Sequence, residues 1–502
     1  MNQLKIRVRE TEFKLEMTYL ILIGLFLFAW AVIQPVVFSP DEQMRYKVVY
    51  YIFQHNRLPH GGDPEVMDAS WGISYAFYPM LSYMVSYPFM KIVSLFTENE
   101  HALLVAARMA EICYGVGSAY YILKISKKLI RGSYRILFIA LTTLMPGCFV
   151  LFTYVNCDSL SLFATAMLIY AWLRGLETEW DLKSCVRVGV GVSICLLSYY
   201  NGYGIAVATV VVFCLSILFC EEKKLNVKKL ILRGLFITAI VALLAGWWFI
   251  RSYLLYDGDF LGLNITTVYA EQFAKEEYKP SNRLTFAENP NVNVIDMLFY
   301  MDTPHIHNWM LMVYYSFIGS FGYMDIWPDP IFGRSFMVFF FLGLLGFLPQ
   351  LREVFRVCRV TIRERINVLG QRVVFRYTYK KDRWSRQSVF HIGMLIALIM
   401  PNVLNIYNSY VNDYQPQGRY SMAMIIPLMY FMVLGYRKIF DILCRSEKRT
   451  AEKVFCYGVS LFMVLFLIYC YVELVYPGCM ARWTFYHKRF YSHFVPAPGY
   501  AP

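Results

Sequence analysis

Residues 17–37 read MTYLILIGLFLFAWAVIQPVV and pass directly into residues 38–46, FSPDEQMRY. The first stretch has the length of about 20 apolar residues that a helix needs to cross a bilayer. It lacks a small-residue cleavage site and exceeds the core of a signal peptide, so we expect a retained membrane helix. The second stretch places two adjacent carboxylates, Asp41 and Glu42, at the mouth of that helix.

The same residues also match the pattern of a helix N-terminus. Ser39 can cap a new helix, Pro40 suits its first position, and Glu42 stands three residues after the cap. The helix dipole stabilises acidic residues in a first turn whatever the protein does. A capping role for Glu42 therefore stays open. The long polar loop after Asp41, which is rich in aromatic residues and histidines, favours a functional role for Asp41.

Composition indicates a polytopic membrane protein. The chain is 58% hydrophobic and 17% charged, with a mean hydropathy of +0.43, and several apolar runs reach membrane-spanning length. The net charge of +13 comes from short basic segments between apolar runs, which is typical of cytosolic loops and argues against nucleic-acid binding. Twelve cysteines without a CxxC pair make a disulfide framework or a structural metal site improbable.

The alternation of basic loops predicts about eleven transmembrane helices with a cytosolic N-terminus. Residues 75–96 and 309–332 are apolar but interrupted by Tyr, Gly and Pro, and we expect them to lie at the outer interface as juxtamembrane helices. The predicted spans are residues 17–37, 103–123, 136–154, 160–173, 188–197, 203–220, 230–253, 335–348, 389–404, 420–436 and 454–474.

We therefore expect an all-α integral membrane protein with one polytopic domain, residues 1–502. It contains a first outer loop (38–100), a large outer loop (255–332) and a basic cytosolic loop (351–388). Eleven Lys and Arg between residues 352 and 386 mark this last loop. We expect it to lie in solvent or on lipid headgroups rather than on nucleic acid.

The unusual polar residues collect on the predicted outer side. Arg251 and Arg419 lie at outer helix ends, where cationic residues are disfavoured. A guanidinium there can bind a phosphate or carboxylate with two parallel hydrogen bonds. The alternative is an arginine that snorkels to the interface or pairs with an outer-loop acid. Further polar candidates on this side are Asn156, Asp158, Gln417 and Tyr420.

Five short motifs in this order resemble the GT-C superfamily of polytopic glycosyltransferases. They are Asp-Glu at 41–42, Tyr-Val-Asn-Cys-Asp at 154–158, Gly-Trp-Trp-Phe-Ile-Arg-Ser-Tyr at 246–253 with Tyr-Asp-Gly-Asp at 256–259, Ser-Phe-Ile-Gly-Ser-Phe-Gly-Tyr at 316–323, and Gln-Gly-Arg-Tyr at 417–420. The closest similarity is to bacterial members related to the protein mannosyltransferase and aminoarabinose transferase branches. The eleven-span count is also similar to the mannosyltransferase branch.

The resemblance implies a reaction and assigns roles. A sugar would pass from a polyprenyl-phosphate donor to a glycan, lipid or protein acceptor on the extracytoplasmic face of the plasma membrane. Asp41 would be the catalytic acid/base carboxylate with Glu42 as its neighbour. Arg419 and Arg251 would bind the lipid phosphate, and Asn156, Asp158, Gln417 and Tyr420 would contact substrates. Inversion at the anomeric carbon is implied as well.

Metal dependence and two other function classes stay open. Oligosaccharyltransferase relatives use a divalent cation, and Asp257-Gly258-Asp259 and His305-Ile306-His307 are weak candidate ligands. Asp-Gly-Asp is more often a turn, so we expect no cofactor. A transporter or flippase of a lipid-linked glycan should carry ionisable residues near mid-membrane, whereas these spans are largely apolar. A non-catalytic polysaccharide-assembly subunit would need neither Asp41 nor Arg419.

Overall fold

A computed structural model describes residues 2–220, 226–283, 285–300, 308–368, 373–443 and 450–489. Helices dominate these residues, which confirms the predicted fold class. They are α1 (Asn2–Ile33), α2 (Glu42–His55), α3 (Leu81–Ser94), α4 (Glu100–Leu129), α5 (Tyr134–Thr143), α6 (Pro146–Phe149), α7 (Asp158–Thr178), α8 (Leu182–Leu196), α9 (Tyr203–Phe219), α10 (Val227–Leu255), α11 (Leu263–Phe273), α12 (Val294–Phe299), α13 (Trp309–Gly319), α14 (Pro330–Phe347), α15 (Leu351–Val354), α16 (Arg386–Val411), α17 (Ile425–Leu443), α18 (Thr450–Tyr469) and α19 (Tyr476–Arg489).

Every predicted span coincides with a helical segment. Among the described residues, nine helical segments are long and apolar enough to cross a membrane. A tenth is the pair Tyr134–Thr143 and Pro146–Phe152, which is bent by 53° where Pro146 cannot continue the hydrogen-bonding pattern of the preceding turn. The eleventh predicted span coincides with α8, whose 15 residues extend only about 22 Å. Of the eleven predicted spans, nine are therefore helices of membrane-crossing length among the described residues, a tenth is bent, and the eleventh is too short to meet this length.

The two segments predicted to lie at the interface form short helices. Helix α3 has 14 residues and contains Pro88, and α13 has 11 residues. Both are shorter than the length of about 20 residues that spans the apolar core of a bilayer. Their length agrees with the prediction that neither crosses the membrane.

The loops predicted on opposite sides of the membrane collect at opposite ends of the helix bundle. At one end, which we call the basic end, Arg135 on α5 bonds Glu12 and Glu16 on α1 at 2.7 and 2.9 Å. At the other, the Trp483 indole donates to the carbonyl of Ile33 at 2.8 Å, and the adjacent Arg482 pairs with Asp325 of the predicted large outer loop. We call this second end the site end. The alternation of loops is therefore present, while the cellular side of each end stays a prediction.

The basic segment adds two strands to the helical fold. Strands β1 (Val357–Val368) and β2 (Val373–Trp384) pair antiparallel, with Val357 opposite Trp384 and Val368 opposite Val373. The sequence of this segment is rich in β-branched and aromatic residues, which favour strands over helices. The prediction of a basic cytosolic loop did not include this strand pair, because a count of charges carries no information on the pairing of two segments.

The helices pack around a core of large apolar side chains. Trp30, Phe138, Trp172 and Met429 are fully buried in it. This core fixes the helix ends at which the first-loop, α7 and α17 residues meet.

Candidate active site

Asp41 lies at the point where the first loop enters α2. Its backbone is left-handed, with φ 62°, a conformation that Asp adopts more readily than most residues. Helix α2 begins at Glu42, and Asp41 precedes it without a side-chain cap bond. The hydroxyl of Ser39 donates to Gln34 Oε1 at 3.0 Å instead of capping α2. The capping-box interpretation of this stretch is therefore wrong.

The carboxylate of Asp41 meets the guanidinium of Arg419. Arg419 Nη2 donates to Asp41 Oδ2 at 2.7 Å across 378 residues of sequence. The Asp41 side chain is 30% exposed and that of Arg419 is 9% exposed. Burial alone would raise the pKa of the Asp41 carboxyl, but the charges of Arg419 and Arg45 outweigh burial and hold its pKa below the usual value.

Arg419 retains unused hydrogen-bond donors. Its Nη2 bonds Asp41 and the Tyr420 hydroxyl, both at 2.7 Å, while Nε and Nη1 are buried without a hydrogen-bond partner. Because buried donors are normally paired, this guanidinium has capacity for an additional anion.

A second arginine, Arg45, lies on the other side of Asp41 and was missed by the sequence analysis. Its side chain is 0% exposed, and it lies 3.8 Å from Asp41 Oδ2 and 3.6 Å from Asp158 Oδ2. The rings of Tyr75 and Tyr199 face the guanidinium at 4.6 and 5.9 Å. The four-residue spacing from Asp41 was a signal that could have revealed it, since such residues share a helix face.

Asn156 and Asp158 belong to the turn that leads into α7. Asn156 is buried; its amide donates to the carbonyls of Leu151 and Tyr154 at 2.7 and 2.6 Å, and its Oδ1 accepts from Ser159 N at 2.9 Å. These bonds fix the turn and leave Asp158 facing Arg45. The structure therefore brings Asp158 to the Asp41 group, whereas Asn156 holds the backbone beneath it.

Glu42 lies next to Asp41 in sequence but points into the protein. It is 0% exposed, and both of its oxygens accept from Arg108, at 2.7 and 2.6 Å. Arg108 Nη1 also donates to the carbonyls of Ala31 and Gln34, and Glu42 Oε1 accepts from Val155 N at 2.8 Å. This pair joins the end of α1 to α4 and the 150s turn. Its geometry favours a structural role over the catalytic one predicted for Glu42.

Gln417 and Tyr420 flank Arg419 in the turn before α17. The Tyr420 hydroxyl donates to Gln415 Oε1, and its ring stacks on Tyr199 with centroids 6.0 Å apart. Gln417 lines a cavity that also touches Arg419. Both candidates therefore lie beside the Asp41–Arg419 pair.

That cavity is small and partly open to solvent. Ser39 and Pro40 precede Asp41 on one wall, Tyr154 lies on another, and Ser316, Ser320, Phe321 and Gly322 come from the motif at 316–323. Gly418 completes it: its N–H donates to Ser316 Oγ at 2.7 Å, and a Cβ there would lie 2.2 Å from Phe317 N. Only glycine permits this close approach, so residue 418 sets how far Arg419 reaches toward Asp41.

Arg251 lies against a different part of the first loop. Its Nη2 donates to the carbonyl of Pro59 at 2.7 Å, and the guanidinium lies over the Trp248 ring at 5.3 Å. Burial, followed by the charge of Arg251, lowers the pKa of His60 below its usual value. A separate cluster thus surrounds Arg251, and its predicted contact with the donor phosphate stays a prediction.

The candidate metal ligands are placed only in part. Asp259 accepts from Gly262 N and Ile265 N at 3.0 and 2.9 Å, which is the behaviour of a turn and helix-start residue. His305 and His307 lie outside the described residues. Within the described ranges, no group of three His, Cys, Asp or Glu is arranged to hold a metal ion. The absence of a cofactor stays a prediction.

Comparison with known proteins identifies the fold. No known protein-family model and no curated protein sequence matches the chain. The apo crystal structure of the Archaeoglobus fulgidus oligosaccharyltransferase covers 93% of this chain, with a TM-score of 0.50 and 14% sequence identity. The same enzyme, tethered to an acceptor peptide containing the NVT sequon, also covers 93%, with a TM-score of 0.50 and 12% identity. Each alignment covers 55% of that chain, so the present chain spans about half of its length.

A second kind of protein has a lower similarity. ArnT from Cupriavidus metallidurans, bound to undecaprenyl phosphate, covers 92% of this chain and is itself covered to 73%, with a TM-score of 0.44 and 12% identity. The branch and the bacterial origin suggested by the sequence motifs stay predictions. At these identities the likeness concerns the fold alone, and over most of its length the chain shares the fold of the covered half of the archaeal oligosaccharyltransferase.

Proposed function

We propose that the chain is a membrane glycosyltransferase that moves a sugar from a polyprenyl-phosphate donor to an acceptor hydroxyl or amide. We place its site on the extracytoplasmic face of a bacterial plasma membrane. The likeness to an oligosaccharyltransferase agrees with this reaction class, although a fold alone does not define a reaction.

The observation that carries the proposal is the pairing of Asp41 with Arg419, which lines a cavity together with Ser39 and Pro40. The two residues lie 378 positions apart in the sequence and 2.7 Å apart in space. Arg419 lines the cavity and has two buried nitrogens without a hydrogen-bond partner, and the side chain of Asp41 is 30% exposed. The Arg419 guanidinium can bind a phosphate, and the Asp41 carboxylate can accept a proton.

The residues can support transfer as follows. The acceptor oxygen forms a bond to the anomeric carbon while the bond from that carbon to the phosphate oxygen breaks. The leaving lipid phosphate keeps the electron pair, and Arg419 stabilises the charge that develops on it. The acceptor proton passes to the Asp41 carboxylate, which acts as general base. For an amide acceptor the attacking atom is nitrogen, and the proton again passes to Asp41.

The Asp41–Arg419 bond also explains why the two substrates would act together. We propose that a phosphate takes the two unpaired nitrogens of Arg419 and, by turning the guanidinium toward itself, weakens the bond from Nη2 to Asp41. Once Arg419 turns to the phosphate, Asp41 loses its strongest cationic partner and becomes a stronger base. Donor binding therefore prepares the carboxylate for the acceptor.

Two isosteric variants test the proposal. Undecaprenyl phosphate binding is measured by native mass spectrometry, and sugar transfer is measured with a labelled polyprenyl-phosphate sugar. We expect Arg419→Gln to lose lipid binding by about 10-fold or more, because a charged hydrogen bond is worth about 1.5–3 kcal/mol. We expect Asp41→Asn to bind the lipid more tightly, since its competitor is gone, and to lose transfer by about 10²–10⁴-fold.

Arg283→Gln is the matched control. Arg283 pairs with Asp413 and lies over Trp71, away from the cavity, and it should leave both measurements unchanged. Normal transfer by Asp41→Asn would refute the catalytic assignment. Continued export of a lipid-linked glycan without any transfer, in the wild type, would instead identify a transporter.

A further inference from the structure

Arg45 is buried in an arrangement that the proposed reaction does not yet use. Its Nε, Nη1 and Nη2 atoms are all buried without a hydrogen-bond partner. Buried guanidinium nitrogens normally donate hydrogen bonds, whereas those of Arg45 donate none. The positive charge of Arg45 is balanced by the carboxylates of Asp41 and Asp158, which are close but not hydrogen-bonded to it. The rings of Tyr75 and Tyr199 also face it.

The distances indicate that the Asp41 carboxylate is the group that Arg45 could bond. The Arg45–Asp41 separation of 3.8 Å exceeds a charged hydrogen bond of about 2.7–2.9 Å by roughly one ångström. Asp41 is held away from Arg45 by its bond to Arg419 at 2.7 Å. The bond to Arg419 and the longer contact with Arg45 involve the same oxygen, Oδ2, so a small rotation of the carboxylate exchanges one partner for the other.

Arg45 cannot itself follow a ligand into the cavity. Its side chain is 0% exposed and is enclosed by Tyr75, Tyr199 and Asp158. Arg419, by contrast, lines the cavity. Asp41 thus has one cationic partner that a phosphate can recruit and one that it cannot.

We propose that Arg45 is a positioning residue that takes over the Asp41 carboxylate when a phosphate draws Arg419 away. The inference rests on the proposed binding of a lipid phosphate at Arg419. Arg45 then keeps Asp41 ionised and oriented at the moment when the acceptor arrives. Asp158 shares Arg45 with Asp41 and limits how strongly Arg45 holds it.

The pH at which Asp41 takes up a proton depends on which arginine holds its carboxylate, so this pH tests the proposal. The charged and titratable groups that act on it are Arg419, Arg45, Tyr75, Tyr323, Tyr420, and Asp158 through Arg45. We would measure the pH midpoint at which a diazo reagent esterifies Asp41, by peptide mass spectrometry on the full chain in nanodiscs. The rate is normalised to Glu277, an exposed carboxyl of the same protein, which cancels the reagent's own pH dependence.

The decisive comparison needs no lipid. In an Arg419→Gln background, which imitates the recruitment of Arg419, adding Arg45→Gln should raise the Asp41 midpoint by a further pH unit or more. Arg45→Lys should keep most of the wild-type behaviour, since it keeps the charge. Arg283→Gln should not move the midpoint. An unchanged midpoint on adding Arg45→Gln overturns the proposal.

A second variant covers the case in which Arg45→Gln does not fold. Asp158→Asn removes the competing carboxylate with little change of shape, and it should lower the Asp41 midpoint. A rise or no change would again overturn the proposal.

Undecaprenyl phosphate separates this inference from the proposed function. It should raise the Asp41 midpoint slightly in the wild type and by at least one unit more in Arg45→Gln. Equal shifts would refute the exchange of partners. If the lipid does not bind to the wild type at all, the proposed function fails, whereas the lipid-free comparison still decides whether Arg45 holds Asp41.

Discussion

Replacing Glu42 by Gln separates a structural role from a catalytic one. Arg108 donates four hydrogen bonds of 2.6–2.7 Å, two to Glu42 and two to backbone carbonyls of the α1 end. Both side chains are 0% exposed. Glu42→Gln keeps the shape of the side chain but leaves the Arg108 charge buried without a counter-ion. Its amide NH2 also replaces one of the two oxygens that accept from Arg108, so that two donors face each other.

We expect Glu42→Gln to lower the free energy of unfolding by about 3–5 kcal/mol, the cost of breaking a buried ion pair from one side. The measurement is equilibrium unfolding of the purified protein in mixed micelles. Glu65→Gln is the matched control, because Glu65 pairs with His55 on the surface and should change stability by no more than about 1 kcal/mol.

A double-mutant cycle then isolates the pair. Arg108→Met alone should also destabilise the protein, but the double variant should be more stable than the sum of the single effects predicts, by about 2–3 kcal/mol. Wild-type stability of Glu42→Gln together with a complete loss of transfer would refute this reasoning and would restore Glu42 to the catalytic role predicted from the sequence.

Four further expectations concern the site. The pKa of Asp41 is lower in the folded than in the unfolded protein. Its pairing therefore contributes stability that is present above the unfolded pKa of about 3.9 and is lost as pH falls through the folded pKa. In pH-dependent unfolding, Asp41→Asn should lose less stability at acid pH than the wild type. Gly418→Ala forces a Cβ to within 2.2 Å of Phe317 N and should cost about 1–3 kcal/mol and displace Arg419, measured by unfolding and lipid retention. Asn156→Ala leaves buried partners of its three bonds unpaired and should destabilise the fold by about 1–3 kcal/mol. Arg251→Gln should lower stability while retaining undecaprenyl phosphate, given its contacts with Pro59 and Trp248; a loss of lipid equal to that of Arg419→Gln would instead support the phosphate contact predicted from the sequence.

Helix positions were predictable because hydropathy and charge act locally. Residues 103–123 and 389–404 each fall inside one continuous helix, since the membrane demands about 20 apolar residues in one run. The bend at Pro146 and the shortness of α8 were not predicted, because hydropathy counts apolar residues and does not give the direction or the length of the helix that they form. The strand pair β1–β2 depends on register between two segments, which a count of basic residues does not contain.

The site shows the same limit at the level of single residues. Asp41 and Arg419 were predicted as partners of one reaction, because the resemblance to the GT-C superfamily implies a catalytic carboxylate in the first outer loop and an outer arginine can bind a phosphate. The sequence analysis did not predict that Arg45 and Arg108 belong to the site. In the structure both are fully buried beside carboxylates. A buried arginine is identified by the carboxylate it meets, and the distance from Glu42 to Arg108 is 66 residues in sequence. The local pattern left Glu42 open as a helix cap and as a catalytic neighbour of Asp41, because its partner Arg108 is remote in the sequence.

The 378 residues between Asp41 and Arg419 also set an order of events during biosynthesis. At a synthesis rate of about 5–20 residues per second, roughly 20–75 s pass between the appearance of the acid and that of its distant partner. During that time the nascent protein has no anion-binding cavity and cannot use a lipid carrier. Arg45, made four residues after Asp41, is present from the start and can shelter the acid until the last helices arrive.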